Sequence, residues 1–234
     1  MKKPFRILVV EDEEAIRTGL IDVFVYHGYE VQGCENGSDG LAQGLTGQYD
    51  LVLLDVMLPG MNGFDICNAI RQQDRNLAII MLTAKNSDEE IIQGLKLGAD
   101  DYVSKPFSVA QLVSRVEAVL RRSQAGFQRA TIIELEGGIR IDTANLSGES
   151  GKNKLVFTRR EIEIIKYLAE HSARPVPREE LLTSVWGYAR NLDIETRTVD
   201  IHIAKLRRKI EADAKVPVNL VTVRGAGYRL MLPD

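Results

Sequence analysis

Five polar residues that could handle a phosphate group or a metal ion each follow a short run with strand character. Glu11 and Asp12 follow ILVV, Asp55 follows LVLL, Thr83 follows IIML and Lys105 follows DYVS. Clustered carboxylates suit a hard cation such as Mg²⁺, because the cation relieves their mutual repulsion. Such a cluster can hold a phosphoryl group, which Lys105 would neutralise and Thr83 would hydrogen-bond, and one carboxylate can be the nucleophile. These residue types indicate phosphoryl transfer to an aspartate.

A parallel sheet would bring these five residues together. Apolar runs alternate with segments of helical spacing, which indicates βα units, and the exits of parallel strands share one edge of a sheet. The predicted strands are residues 5–10, 29–34, 51–54, 78–82 and 101–103. The predicted helices are residues 13–26, 38–45, 63–71, 87–97 and 108–122.

Each of these residues also has an ordinary interpretation when it is taken alone. The acidic run 11–14 is a favourable start for a helix, and Asp55 is a common residue in turns. Thr83 can be a hydroxyl at a strand end, and Lys105 can be solvated. Their joint occurrence at successive strand exits favours a functional site.

The segments VVEDEE, LLDVMLPGMNG, MLTA and GADDYVSKPF resemble the receiver domain of bacterial two-component response regulators over about residues 5–122. The resemblance implies a flavodoxin-like α/β fold with five parallel strands in the order 2-1-3-4-5. It also implies that Asp55 accepts phosphate from a sensor histidine kinase, with Thr83 and Tyr102 as the switch pair and a cis bond before Pro106. The implied Mg²⁺ ligands are Asp12, Asp55, the Met57 carbonyl and, through water, Glu11.

A phosphatase is the enzyme alternative, because haloacid-dehalogenase-like phosphatases also use an aspartate at a strand end. Those enzymes carry a second Asp two residues further on as general acid, and this chain has Met57 at that position. A thioether cannot protonate a leaving group, so turnover of phosphate monoesters is not expected. A phosphorylated switch fits the sequence better than an enzyme.

A charged surface near the last receiver strand resembles the face through which OmpR/PhoB receivers form a homodimer when phosphorylated. The alternative is a solvated charged face, because a single exposed ion pair contributes only about 0 to 1 kcal/mol. The sequence has Ile91 and Gln111 where that class commonly has a basic residue and a Glu. The residues assigned to the face are Lys96, Asp100, Asp101, Arg115 and Arg122.

Composition divides the chain into an acidic and a basic half. Residues 1–122 carry 12 Lys and Arg against 18 Asp and Glu, net −6, whereas residues 123–234 carry 18 against 15, net +3. An acidic half suits a cation site, and a basic half suits nucleic acid. The segment 123–130 lacks periodicity and contains Gly126, so we expect a receiver at 1–122, a linker at 123–130 and a second domain at 131–234.

Cysteine content and hydropathy indicate a soluble cytoplasmic protein with no membrane partner. Cys34 and Cys67 form no CxxC motif, so we expect two buried thiols in a reducing compartment. Glu11 interrupts the first apolar run, which argues against a signal peptide, and no run reaches the roughly 18 apolar residues of a membrane helix.

The second half begins with strand signals and a helix cap. Runs 131–136 and 139–142 flank Gly137-Gly138, a two-residue hairpin signal, and another strand is predicted at 154–157. The residues TRRE at 158–161 form a capping box, which predicts a helix start. A second helix is predicted at 178–186.

A basic helix is predicted at about residues 196–210. Its core stripe consists of Val199, Ile203, Leu206 and Ile210, which follow helical spacing. The opposite face could enter a major groove, although a lone basic helix is more often only solvated. That face and its edges hold Arg197, Ile201, His202, Ala204, Lys205, Arg208 and Lys209.

The final strands, 218–223 and 228–232, flank RGAG and form a hairpin with Arg224 at its tip. Together, TRTVDIHIAKLRRKI and VTVRGAGYRL resemble the winged-helix effector domain of the OmpR/PhoB family, an α+β fold, over about residues 131–232. The resemblance implies that the helix reads the major groove, that Arg224 enters the minor groove, and that Thr198 and Thr222 join the DNA contacts. Ala204 stands where relatives often have Arg, and loop 187–194 corresponds to a segment that touches RNA polymerase.

We therefore expect a non-enzymatic transcription regulator that is phosphorylated on Asp55, dimerises through its receiver and binds double-stranded promoter DNA, as tandem half-sites. The competing class is a stand-alone DNA binder with a vestigial receiver, and the intact acidic pocket argues against it.

Overall fold

A computed structural model describes residues 4–84, 93–95, 97–124, 131–188 and 197–233, without the side chains of Ala84 and residues 121–124. The chain forms two compact units, Met1–Gln124 and Ala125–Asp234. Both cysteines are buried free thiols. Among the described residues, no helix has the length and apolar character needed to cross a membrane.

The first unit is built on five parallel strands in the order β2-β1-β3-β4-β5, as predicted. Apolar residues fill both faces of the central strands, so that every residue of the third strand is buried, and this explains why its sequence lacks alternation. The strands are β1 Arg6–Val10, β2 Glu30–Cys34, β3 Leu51–Asp55, β4 Ala78–Ala84 and β5 Asp101–Lys105.

Four helices of the first unit are fully bounded within the described residues. Asn36 and Asn62 cap two of them by accepting the backbone N–H of Asp39 and Asp65. The helices are α1 Glu14–Tyr26, α2 Gly37–Gly44, α3 Gly63–Gln73 and α4 Val109–Gln124. Of the helix predicted at 87–97, residues 93–95 are described and are helical, and most of the rest lies outside the described residues.

The strand register brings the predicted polar residues to one edge of the sheet. Asp55 lies opposite Leu82, and the next residue along β4, Thr83, lies opposite Ser104. Lys105 ends β5, and the peptide bond between Lys105 and Pro106 is cis, as the resemblance implied. The first unit therefore positions an aspartate, a threonine and a lysine at adjacent strand exits.

The second unit begins with a four-stranded antiparallel sheet in sequence order. Gly137 and Gly138 make the predicted tight turn, with φ of 78° and 73°, values that favour glycine. The strands are β6 Ile132–Leu135, β7 Ile139–Asp142, β8 Ser147–Ser150 and β9 Asn153–Val156. Strand β8 was not predicted, because its sequence SGES has little strand propensity of its own.

Within its described residues, three α-helices and a hairpin complete the second unit as a winged helix. The predicted capping box is present, because Thr158 and Glu161 each accept the other's backbone N–H at the start of the first helix. The helix predicted at 178–186 has a π-helical second part, Leu182–Trp186. The elements are α5 Arg159–Glu170, α6 Arg178–Leu181, α7 Arg197–Ile210, β10 Leu220–Val223 and β11 Gly227–Leu230.

Candidate functional site

Three of the predicted side chains make direct contact at the edge of the parallel sheet. The Lys105 ammonium donates to Asp55 Oδ2 at 2.6 Å and to the two carboxylate oxygens of Glu11 at 2.9 and 2.8 Å. Asp55 and Glu11 are buried, and Lys105 is partly buried. Paired carboxylates in a low-dielectric site require such a cation, because each buried charge is costly without a partner. The prediction that these strand exits meet is therefore confirmed.

Burial and the hydrogen bonds of Lys105 together set the protonation behaviour of this pocket. Burial raises the pKa of Glu11 to about 7; the hydrogen bond from Lys105 opposes this rise, and the negative charge of Asp55 adds to it. Burial lowers the pKa of Lys105, but its hydrogen bonds to Asp55 and Glu11 outweigh that effect and leave the pKa above its ordinary value. The lysine is therefore a permanent cation beside carboxylates that repel one another.

The acidic side chains of the pocket fit a divalent cation. Glu11, Asp12 and Asp55 each offer a carboxylate oxygen, and these oxygens lie within 4.8 Å of one another. Asp12 is exposed, whereas the other two are buried, so a cation would have both solvent access and buried ligands. Oxygen ligands with room for water are what Mg²⁺ prefers. The donor set fits the predicted metal.

Met57 lies beside Asp55 but presents its side chain to solvent. Its backbone N–H donates to Asp55 Oδ1 at 3.1 Å, and the residue is 65% exposed. No proton-donating side chain stands at this position, which is where the phosphatase alternative needs one. The two expected switch residues, Thr83 and Tyr102, are both buried.

The charged surface predicted for dimerisation differs from expectation at Asp100. Its carboxylate is buried and accepts from Arg71 at 2.9 Å and from the Ile79 backbone N–H at 2.9 Å. Arg71 also donates to the Gly98 carbonyl at 2.7 Å. Asp100 is thus tied to the end of α3 and does not lie on an exposed face. Sequence patterns did not indicate this contact, because Arg71 and Asp100 are 29 positions apart in the chain.

Asp101 and Arg115 contact each other within the same unit. Arg115 Nη1 donates to Asp101 Oδ2 at 2.6 Å, and Asp101 is fully buried. An ion pair between Asp101 of one protomer and Arg115 of another would therefore have to replace the pair that these residues already form within each protomer. Ile91 and Lys96 lie outside the described residues, as does the side chain of Arg122.

The outward side of α7 is rotated relative to the predicted face. The predicted core stripe is buried, but Thr198, Ile201 and His202 are buried as well, so they do not lie on an exposed face, and their contact with DNA stays a prediction. The His202 ring packs edge-on against Trp186, with 5.3 Å between ring centroids. The exposed or half-buried residues directed outward are Arg197, Asp200, Ala204, Arg207 and Arg208. Asp200 and Arg207 were not assigned to this side from the sequence, although both lie at helical spacing from Arg197 and Ala204.

Lys205 and Lys209 are held inside the unit by one buried carboxylate. Lys205 Nζ lies 3.3 Å from Glu161 Oε1, and Lys209 Nζ lies 2.6 Å from Oε2 of the same residue. Both ammonium groups are therefore paired within the unit and do not stand free on the face that the sequence predicts for DNA. Glu161 is the capping-box residue of α5. Its sequence pattern predicted the helix start but not the contacts with Lys205 and Lys209.

A polar network joins α6 and α7 to the hairpin. Asp200 accepts from Arg178 and from the Tyr228 hydroxyl, both at 2.6 Å. Arg207 donates to the Thr222 hydroxyl at 2.7 Å, and its guanidinium lies 5.7 Å from the centre of the Tyr228 ring. Burial and the bond to Asp200 raise the pKa of Tyr228 to about 12. The network fixes the hairpin relative to α7.

The hairpin itself presents the predicted basic tip. Arg224 is exposed in the turn between β10 and β11, and Gly225 next to it has φ of 73°. Thr222 is exposed on the same hairpin. Of the loop predicted at 187–194, residues 189–194 lie outside the described residues, as do residues 125–130 of the predicted linker, whereas α4 continues to Gln124.

Two protein families match this chain, one in each unit. The family described as "Response regulator receiver domain" matches residues 7–117, which contain the acidic pocket. The family described as "Transcriptional regulatory protein, C terminal" matches residues 152–230, which contain α7 and the hairpin.

Named relatives match over almost their whole length. The alkaline phosphatase synthesis transcriptional regulatory protein PhoP of Bacillus subtilis is 40% identical, covering 97% of both chains. The transcriptional regulatory protein CusR of Escherichia coli is 34% identical, covering 98% of this chain and 99% of CusR. Among solved structures, the Thermotoga maritima OmpR/PhoB homologue DrrB is 29% identical with a TM-score of 0.52, covering 97% of this chain and 99% of DrrB. A RitR variant is 28% identical with a TM-score of 0.75, covering 98% and 100%.

Proposed function

Because the chain belongs to the OmpR/PhoB family of two-component response regulators, we propose that phosphorylation of Asp55 by a sensor histidine kinase controls its binding to promoter DNA. A receiver joined to a DNA-binding domain fits a phosphorylation-dependent transcription factor. The observation that carries the proposal is the pocket itself, in which Lys105 lies 2.6 Å from the buried Asp55 carboxylate.

Asp55 is the proposed nucleophile because its carboxylate is preorganised for attack. Lys105 and the Met57 backbone N–H hold its two oxygens in fixed directions. When bound, Mg²⁺ would neutralise phosphate charge in the pocket, held by Glu11, Asp12, Asp55 and the Met57 carbonyl. Lys105 would pair with the phosphoryl oxygens, and Thr83 would hydrogen-bond to them. These roles follow from the charge of Lys105, the hydroxyl of Thr83 and the position of both residues at neighbouring strand exits.

Thr83 and Tyr102 are the proposed switch that carries the signal out of the pocket. Both are buried on neighbouring strands, Thr83 near the exit of β4 and Tyr102 as the second residue of β5. A phosphoryl group adds negative charge and hydrogen-bond acceptors that draw Thr83 towards Asp55. The Tyr102 ring then turns inward into the space that Thr83 leaves. Phosphorylation would shift a two-state population through this pair rather than create a new fold.

Intact-mass measurement after incubation with acetyl phosphate and Mg²⁺ tests the phosphoacceptor. One added phosphoryl group per chain is expected, and it should be absent from Asp55→Asn. Asp65→Asn is the matched control, because Asp65 lies in the same unit at the start of α3 and outside the pocket. A label that survives Asp55→Asn would overturn the assignment.

Two other functions are less well supported. A phosphatase would require a general acid near Asp55, and Met57 supplies none. A DNA binder with a vestigial receiver would have no reason to keep Lys105 in contact with two buried carboxylates. The relatives PhoP and CusR are named as transcriptional regulatory proteins, which agrees with a regulatory rather than an enzymatic role.

The proposed DNA-binding surface consists of the outward side of α7 and the hairpin tip. Arg197 and Arg208 would contact phosphates, and Arg224 would enter the adjacent minor groove, where negative potential attracts arginine. Thr222 lies on the same hairpin as Arg224 and would join these contacts. The chain would bind promoter DNA as tandem half-sites, and the 187–194 loop would contact RNA polymerase. Both roles require a cytoplasmic protein.

Receiver dimerisation is the proposed link between phosphorylation and DNA binding. The Asp101–Arg115 pair is already satisfied within one protomer, so a dimer through this surface would have to exchange or extend it. Sedimentation velocity with and without acetyl phosphate tests this step, and a dimer is expected only after labelling. Arg115→Ala should weaken the dimer. A labelled wild-type chain that stays monomeric at high concentration would refute dimerisation without touching the Asp55 assignment.

A further inference from the structure

Glu161 is a buried carboxylate that sits between the start of α5 and the DNA-facing helix. Its side chain is fully buried, and it accepts the Thr158 backbone N–H at 2.8 Å. The same carboxylate contacts the ammonium groups of Lys205 and Lys209, one turn apart on α7. One anion therefore pairs with two of the cations that the sequence places on α7.

The two lysines differ from the arginines of α7 in their exposure. The side chains of Lys205 and Lys209 are 13% and 26% exposed, whereas Arg208 is exposed. Lys209 also donates to the Val156 carbonyl at 2.8 Å, and its ammonium lies 5.3 Å from the centre of the Phe157 ring. The burial of Glu161 would raise its pKa, but the charges of Lys205 and Lys209 lower the pKa below its ordinary value. The carboxylate is thus kept charged by these lysines.

We propose that Glu161 determines the balance between specific and non-specific DNA binding by withholding Lys205 and Lys209 from the phosphate backbone. This inference rests on the proposed function, because it assumes that α7 faces DNA. Each lysine that neutralises a phosphate adds affinity for every sequence alike and steepens the salt dependence of binding. By holding two such cations, Glu161 makes the sequence-independent part of the DNA-binding free energy smaller. Sequence-specific contacts then supply a larger share of that free energy.

A lysine stem is long and flexible enough to redirect its ammonium group once the partner is lost. Lys side chains bury their methylene stems while the charged head seeks water or an anion. Without the Glu161 charge, Lys205 and Lys209 would lose their nearest anion while remaining on a helix whose other side presents Arg197 and Arg208. A DNA phosphate is then the available replacement partner.

The substitution Glu161→Gln isolates the charge from the helix cap. Glutamine serves the capping box as glutamate does, so the start of α5 is retained. Glu163→Gln is the matched control, because it makes the same charge change in the same helix at a residue that pairs with Arg160 at 2.8 Å. Fluorescence of Trp186, the single tryptophan of the chain, reports whether the second unit stays folded.

The measurement is fluorescence anisotropy of the full-length chain on two duplexes over a KCl series. One duplex is enriched from a random pool by the wild-type chain treated with acetyl phosphate, and the other has the same composition in scrambled order. Glu161→Gln should bind the scrambled duplex several-fold more tightly and steepen the log–log salt slope by roughly 0.9 to 1.8, the value for one or two added phosphate contacts. Glu163→Gln should match the wild type.

Substitution of the lysines tests the same proposal in a second way. Lys205→Gln and Lys209→Gln in the wild-type background should leave the slope unchanged, whereas Arg208→Gln should lower it by roughly 0.9. The triple variant with Glu161→Gln should return to the wild-type slope. A lysine variant that lowers the slope as Arg208→Gln does, or a folded Glu161→Gln that matches Glu163→Gln, would overturn the proposal. A wild-type chain that binds neither duplex would instead refute the proposed DNA-binding function.

Discussion

The Lys105 ammonium lies 2.6 Å from Asp55 Oδ2 and also donates to both oxygens of Glu11. One cation therefore screens two carboxylates that would otherwise repel each other. The same cation stands close to where a divalent metal would be held by these acids. Lys105 consequently has opposite effects on the two partners of the pocket, because it attracts a phosphate and repels a metal ion.

Lys105→Met should separate these effects. Removing a unit positive charge about 4 Å from a divalent cation is worth at least about 2 kcal/mol, so Mg²⁺ affinity should rise by at least about thirtyfold. The rate of labelling by acetyl phosphate should fall by about a hundredfold, because electrostatic stabilisation of the phosphoryl group is lost. Calorimetric Mg²⁺ titration and intact-mass time courses measure the two quantities. Arg75→Met removes a cation elsewhere in the same unit and should change neither, and weaker Mg²⁺ binding in Lys105→Met would contradict this account.

The buried Arg71–Asp100 pair is expected to contribute strongly to the stability of the first unit. Arg71→Met leaves the Asp100 carboxylate buried without its cation, which should lower the free energy of unfolding by about 3 to 5 kcal/mol. Asp100→Asn keeps an acceptor for the Ile79 N–H and should restore part of this loss when combined with Arg71→Met. The two substitutions should thus be strongly non-additive.

Urea unfolding can assign this loss to the correct unit. Circular dichroism follows both units, whereas Trp186 fluorescence follows only the second unit. Arg71→Met should shift the dichroism transition and leave the fluorescence transition in place. Arg75→Met is again the control, and a shift no larger than that of the control would show that the pair is energetically minor.

The sequence predicted most of the receiver because its signals are local. Strands β1, β3 and β4 are apolar runs, and the exits of β1, β3, β4 and β5 carry polar residues. A parallel sheet is then enough to place those residues at one edge. The Arg71–Asp100 pair joins residues that lie 29 positions apart, and neither residue belongs to a periodic pattern. Such a contact becomes visible only once the sheet and α3 are placed in space.

The orientation of α7 was predicted only in part for a similar reason. Helical spacing identified Val199, Ile203, Leu206 and Ile210 correctly as core residues. Spacing within one helix cannot reveal how wide the buried stripe is, because neighbouring elements decide that. Here Trp186 covers His202, and Glu161 holds Lys205 at the border of the stripe.

The raised pKa of Tyr228 predicts a specific pH dependence of stability. Its phenol has a pKa of about 12 in the folded chain against about 10 when unfolded. The folded state therefore keeps a proton that the unfolded state loses, and stability falls as the pH rises from 10 towards 12. At pH 11 the wild type should have lost about 1.4 kcal/mol through this group.

Tyr228→Phe removes the titrating group and so reveals that loss. At pH 8 the variant should be less stable by about 1 kcal/mol, because the hydrogen bond to Asp200 is missing. At pH 11 the difference should disappear or reverse, since only the wild type suffers the ionisation penalty. Urea unfolding followed by Trp186 fluorescence measures both values, and a difference that stays constant between the two pH values would refute the assignment.

Ala204 provides a gain-of-function test of the proposed DNA surface. It is exposed near the middle of the outward side of α7, between Asp200 and Arg208, where an arginine would reach towards a bound duplex. Ala204→Arg should steepen the salt slope by roughly 0.9, and Arg208→Ala should reduce the slope by a similar amount. Both effects should be equal on enriched and scrambled duplexes, because phosphate contacts do not depend on sequence.

Arg224→Ala should instead weaken binding to the enriched duplex more than binding to the scrambled one, since minor-groove width varies with sequence. Lys154→Ala, on strand β9, is the control cation outside this surface. Anisotropy titrations in which Ala204→Arg and Arg208→Ala both match the Lys154→Ala control would remove α7 from the interface.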